Sequence, residues 1–157
     1  MLLRAGGGGG NLSTPPTGFI RIAPNQVIAN PRLLLPAWNI VAGLNTYAPG
    51  AQVPSAAKYL MLTIAFTFFG DGVVGDVSGF GFHTTFDATG TNLADSGTFS
   101  FTNQAALVAG SELGRASIMR GIFPVFLVAG TPTIGLTVAV IGGTFSNVQP
   151  KLTGYYD

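Results

Sequence analysis

The sequence predicts an all-β chain in which two antiparallel sheets pack face to face as a β-sandwich or jelly roll. Three observations carry that expectation. Apolar residues recur at every second position in one segment after another, the spacing that lays one side of a strand on a core. The 23 glycines and 10 prolines fall largely between these segments, as turn punctuation. Only 103–113 carries even a faint helical pattern, and it reads equally well as a loop.

The elements follow in chain order. Residues 1–17 are expected to form an extended arm. Five consecutive glycines, Gly6 to Gly10, and then Pro15 and Pro16 suit neither a helix nor a central strand. Short strands are expected over 18–23, 27–29 and 37–41. The strongest signal is 59–69, where Leu60, Leu62, Ile64, Phe66 and Phe68 share one face and Thr63, Ala65 and Thr67 the other. Gly70-Asp71-Gly72 supplies a turn, because glycine and aspartate tolerate positive φ. A strand over 73–86 places Phe80, Phe82 and Phe86 in phase, with Gly75, Gly79 and Gly81 marking bulges or close crossings. Thr98 to Thr102 and Leu136 to Ile141 alternate cleanly, and further strands are expected over 117–129, 143–148 and 151–156. Eight or more strands in a single domain, 18–157, with no fixed-period repeat, suit a sandwich and disfavour propellers and solenoids.

Composition narrows the partners. Lys and Arg number 7 against 6 Asp and Glu, a net charge of +1, so there is no basic stripe for nucleic acid. Charged residues make up only 8% of the chain, against about 25% in ordinary soluble domains. A neutral, ion-poor exterior favours association, so much of the surface is expected to be covered by other protein. The stretch 121–150 carries no charge, yet Pro124, Gly130, Pro132, Gly135, Gly142 and Gly143 interrupt it, and no membrane span is expected. The opening Met1-Leu2-Leu3-Arg4 lacks the apolar core of a secretory signal. Ordering a glycine-rich arm costs on the order of 1 kcal/mol per residue. A partner that receives Leu2, Leu3 and Arg4 would offset that cost.

Catalytic signatures are sparse, and the expectation is a protein that is not an enzyme. Cysteine is absent, which removes disulfides, thiolate metal sites and a thiol nucleophile. His83 is the only histidine, so a zinc site built on several histidines is impossible. Its order before Asp87 and Ser96 matches a serine-protease triad, but the three lie too close in sequence. Gly70 to Asp76 lacks the alternating oxygen ligands and terminal Glu of a calcium loop. The glycine run has neither the preceding strand nor the following Lys-Ser/Thr of a phosphate loop. No cofactor is implied. Asp95-Ser96-Gly97 resembles the Asp-Thr/Ser-Gly signature of retroviral-type aspartic proteases, in which a homodimer brings two aspartates together. That resemblance implies a remote alternative with Asp95 catalytic; the plain reading is a β-turn.

Phe126-Leu127-Val128-Ala129-Gly130, the alternation from Leu136 to Val140, and Leu152-Thr153-Gly154-Tyr155-Tyr156 are similar to the closing strands of trimeric jelly rolls. That pattern occurs in the complement and tumour-necrosis-factor group, in phage fibre heads and in capsid decoration proteins. The resemblance implies a homotrimer on the capsid surface of a virion, a cement protein whose arm (Leu2, Leu3, Arg4, Pro15, Pro16) grips the major capsid protein. The alternative is a fibre-tip or receptor-binding domain whose exposed turns, at Asp71, Asp76, Asp87 and Asn92, meet a glycan.

Overall fold

The computed structural model describes residues 14–23, 25–70, 73, 75, 77–102 and 114–157, with backbone alone described at 92–99, 101 and 114–117. Ten strands form along the chain: β1 (Phe19–Ala23), β2 (Gln26–Leu34), β3 (Gly43–Tyr47), β4 (Tyr59–Gly70), β5 (Val77–Thr85), β6 (Asn92–Thr102), β7 (Gly114–Pro124), β8 (Phe126–Val128), β9 (Thr131–Ile141) and β10 (Gly143–Tyr156). No helix occurs among the described residues. The first sheet runs β1-β2-β10-β4-β7; the second runs β3-β9-β5-β6, with β8 paired to β9. Every pairing is antiparallel. From β2 onward the chain changes sheet at each connection except those between β5 and β6 and between β8 and β9.

The two sheets meet through the alternating residues of their facing strands. Leu60, Leu62, Ile64, Phe66 and Phe68 of β4 point inward against Phe80 and Phe82 of β5 and Ile134, Leu136 and Val138 of β9, all buried. At one end five phenylalanines interlock, with Phe80 at ring-centroid distances of 4.8 Å from Phe68, 5.0 Å from Phe82, 5.2 Å from Phe145 and 5.3 Å from Phe66. At the other end Trp38 stacks on Tyr47 at 4.8 Å and meets Phe123 edge-on at 6.4 Å. Each such ring pair adds roughly 0.5–1.5 kcal/mol beyond the area it buries. The β1 and β10 ends are tied together by Arg21, whose guanidinium donates to both carboxylate oxygens of Asp157 at 3.0 and 2.6 Å.

Several local expectations need correction. The strand expected over 37–41 is irregular chain, and the strand is β3, immediately after it. The Asn45 side chain explains the shift. Its Oδ1 accepts from Val41 N at 2.9 Å while its Nδ2 donates to Val41 O and Gly43 O, closing a loop around Gly43 at φ 95°. Leu35, Trp38 and Ile40 still fill the core from this crossing segment. The strand expected over 117–129 breaks at Val125, whose N–H turns away to Lys58 O. The strands expected over 143–148 and 151–156 join as β10 through a register shift between Ser146 and Gln149, with Asn147 at φ 54°. Asp95-Ser96-Gly97 lies inside β6 and not in a turn, where three residues of β6 match two of β5, a bulge. Phe86 falls beyond the end of β5 and is exposed, unlike Phe80 and Phe82. The segment 103–113 lies outside the described residues.

Candidate interaction surface

A strand that buries one set of alternate residues must present the other set outward, and directly opposed residues of an antiparallel pair share a face. The registers of the first sheet therefore define its outer surface. One row crosses all five strands: Ile20 opposite Ile28, then Gly154, Met61 and Ile122. Every member is apolar or glycine. The next row holds Leu34, Lys151, Thr63 and Arg120, and the one after it Gln149, Ala65 and Ile118. Exposure is high for residues of this kind: 64% for Ile118, 56% for Leu34, 51% for Ile20 and 46% for Ile122. Gly154 shapes the middle of the row, since a Cβ there would stand 2.4 Å from Val27 O. On the flank, Gln26 Nε2 donates to Tyr156 Oη at 3.1 Å.

Two exposed cations punctuate this apolar face. Lys151 and Arg120 both lie opposite Thr63, on its two sides, and no carboxylate among the described residues pairs with either. The charged residues within the strands are sorted by sheet. Arg21, Arg32, Arg115, Arg120 and Lys151 lie in strands of the first sheet, which contain no Asp or Glu. The second sheet's strands contain no Lys or Arg. Their acid is Asp95, and Asp71, Asp76, Asp87 and Glu112 all fall between the end of β4 and the start of β7.

The outer face of the second sheet has a different character. Leu44, Thr137, His83 and Asp95 form one row across its four main strands. His83 is thus set opposite Asp95 by register. The Thr137 hydroxyl oxygen is buried without a hydrogen-bond partner among the described residues. Just past β5, Asp87 Oδ1 accepts from Thr89 N at 2.9 Å, Thr89 Oγ1 at 2.8 Å and Thr91 N at 3.2 Å. These bonds, the Thr89 hydroxyl first, pull the Asp87 carboxyl down to about 2. That carboxylate is occupied in holding its own turn.

The other residues singled out from the sequence are placed as follows. Leu2, Leu3, Arg4, Asp71 and Asp76 lie outside the described residues. Pro15 and Pro16 precede a turn in which Pro16 O accepts from Phe19 N at 3.1 Å, leading straight into β1. Asn92 opens β6 opposite Thr85. No group of three or more metal-ligating side chains and no helix long and apolar enough to cross a membrane occurs among the described residues. Comparison with known protein families, curated proteins and solved structures gives no match.

The sequence reading passed over Ile20, Ile28, Leu34, Ile118, Ile122, Lys151 and Arg120. For the five aliphatic residues the signal is an apolar side chain in the outward phase of a strand whose inward phase is already full; nothing in the sequence singles out Lys151 and Arg120. Met61, Ala65 and Phe69 show this in β4.

Proposed function

We propose that this chain is a non-enzymatic structural protein of a bacteriophage particle, a homotrimer that decorates the capsid surface and grips the major capsid protein through residues 1–17. The observation that carries the reading is the outer face of the first sheet, a five-strand apolar surface with few ions, which calls for a protein cover. The strand orders support it. The order β2-β10-β4-β7 over β3-β9-β5-β6 suits an eight-strand jelly roll built from two Greek keys, the architecture this reading proposes. The strand that follows the Gly- and Pro-rich leader, β1, is an edge strand of that same sheet, which suits a leader that engages a neighbouring protein. Several such arms on one trimer multiply weak grips, because linked binding raises effective concentration without a new kind of contact.

The test is co-sedimentation with purified capsids of the phage that encodes the chain. The full chain is expected to pellet with capsids, and a chain lacking 1–17 to keep its oligomeric mass while staying in the supernatant. Capsid binding that survives the deletion, or no binding by the full chain, refutes the proposal.

A further inference from the structure

We infer that the tip of the β8–β9 hairpin is a lipid-contacting loop, which enters the outer apolar layer of an anionic bilayer while Lys58 and Tyr59 rest among the headgroups. The inference goes beyond the decoration reading and does not depend on it.

The hairpin stands apart from both sheets. Strand β9 pairs with β3 from Ile134 and with β5 from Gly135, so among the described residues Thr131, Pro132 and Thr133 pair with β8 alone. Three residues at about 3.3 Å each carry the tip roughly 10 Å past the last pairing in the second sheet. Ala129 and Gly130, at φ 48° and 82°, close it as the two-residue turn that suits the twist of a hairpin. Its root is fixed. The Phe126 ring lies over Gly135, where an added Cβ would come within 3.3 Å of it, and Thr133 is buried with its hydroxyl donating to Thr131 O at 3.0 Å.

The tip is apolar and open to solvent. Leu127 is 69% exposed, more than any other large hydrophobic side chain among the described residues, and Val128 is 42% exposed. Pro132, opposite Leu127, has no N–H to desolvate. Between Arg120 and Lys151 in the sequence no side chain carries a charge. Phe86, also exposed, adds apolar surface at the same end, one residue past Thr85, which pairs with Gly135.

The flanking residues favour lipid over a protein pocket. Val125 N–H donates to Lys58 O at 2.8 Å, so Lys58 and Tyr59 sit where the hairpin leaves β7, and both side chains are exposed. A cation and a phenol at the base of an apolar tip are the residue types that lodge at the boundary of water and hydrocarbon, the ammonium beside lipid phosphates and the phenol with its ring inward and its hydroxyl outward. The depth agrees, because amphipathic elements that lie on a bilayer bury about 5–10 Å of themselves. Asp87 follows Phe86, and desolvating its carboxylate opposes entry beyond the tip.

The test is flotation of the full chain with vesicles of equal parts phosphatidylglycerol and phosphatidylcholine, set against phosphatidylcholine alone. The wild type should float with the anionic vesicles. Leu127→Asp should lower the partition coefficient at least about tenfold, because a buried leucine is exchanged for a charge, while circular dichroism stays that of the wild type. Lys58→Gln should weaken binding to anionic vesicles about fivefold and leave the result with phosphatidylcholine unchanged. Trp38 is the one tryptophan and is buried, so Leu127→Trp adds an emission that should shift to the blue when anionic vesicles are added. Ile118→Asp, on the outer face of the first sheet, should float like the wild type. A wild type that does not float with anionic vesicles, binding that survives Leu127→Asp, an unmoved Leu127→Trp emission, or lost flotation of Ile118→Asp overturns the inference. A wild type that does not float, but whose capsid binding is lost in Leu127→Asp, assigns the tip to a protein pocket and overturns it as well.

Discussion

Phe80→Ala should be among the most damaging substitutions in the chain, and its cost can be worked from the packing. Phe80 is buried and contacts four other rings within 5.3 Å, two on β4, one on β5 and one on β10, so it joins both sheets. Truncating a buried phenylalanine costs about 3–5 kcal/mol, of which the cavity left behind is a large part. Ring pairs worth roughly 0.5–1.5 kcal/mol each place Phe80 in the upper half of that range, about 4 kcal/mol. A domain of ordinary stability has only about 5–15 kcal/mol to lose. Phe86 supplies the control, because the same alternation places it in phase with Phe80, yet it is 45% exposed. Phe86→Ala should change stability by no more than about 0.5 kcal/mol. Equilibrium urea unfolding of both variants, read as a change in midpoint at constant slope, measures the difference. A loss below about 2 kcal/mol for Phe80→Ala, or equal losses for the two, refutes the claim that this ring cluster joins the sheets.

Gly154→Ala should cost about 2 kcal/mol, because its Cβ would meet Val27 O at 2.4 Å and Ile28 Cα at 3.3 Å and must push β2 off β10. Calorimetry should show Tm lower by about 4–8 °C. The Asp87 carboxyl, held at about 2 against an ordinary 3.8, contributes stability that is fully present above pH 3.8 and is lost as pH falls toward 2. Asp87→Asn should flatten that part of the acid unfolding profile, and an unchanged profile would show that the turn does not hold the charge. At the other extreme, burial pushes the Tyr47 phenol up to about 12, so its contribution is present below pH 10 and is lost as pH rises toward 12. Tyr47→Phe removes the 2.6 Å bond to Pro36 O at a cost of about 1 kcal/mol near neutral pH, and it should blunt the alkaline loss followed by near-ultraviolet circular dichroism.

The strands that could be read in advance were those with a clean inward phase. In β4 the run from Leu60 to Phe68 names both the element and its buried face, because nothing but a half-buried strand alternates that way. The first errors came where a side chain overrode the pattern. Trp38 and Ile40 alternate like strand residues, but Asn45 caps the chain just beyond them and moves the strand to β3. The strands expected over 143–148 and 151–156 are one strand, β10, which shifts register between Ser146 and Gln149 and continues through Pro150 opposite Ile64. Phe86 has the right phase and the wrong length, since phase carries no mark of where a strand stops. The outer face was the least legible part. Ile20 and Ile122 are far apart in the sequence and become members of one row only when β10 and β4 lie between their strands. Charge sorting between the sheets was hidden for the same reason, because strand order alone reveals which cations stand together.

Strand β10 lies between β2 and β4 although it follows both in the chain. During synthesis the hairpin of β1 and β2 and the pair of β4 and β7 can each form, but they stay two fragments with open edges until the ribosome has passed Tyr156. β10 supplies backbone partners to both, and Arg21 of β1 bonds to Asp157 just past the end of β10. A nascent chain stopped short of residue 143 therefore presents two unpaired strand borders to every other copy on the same message, and its fate is clumping before it can be built into anything.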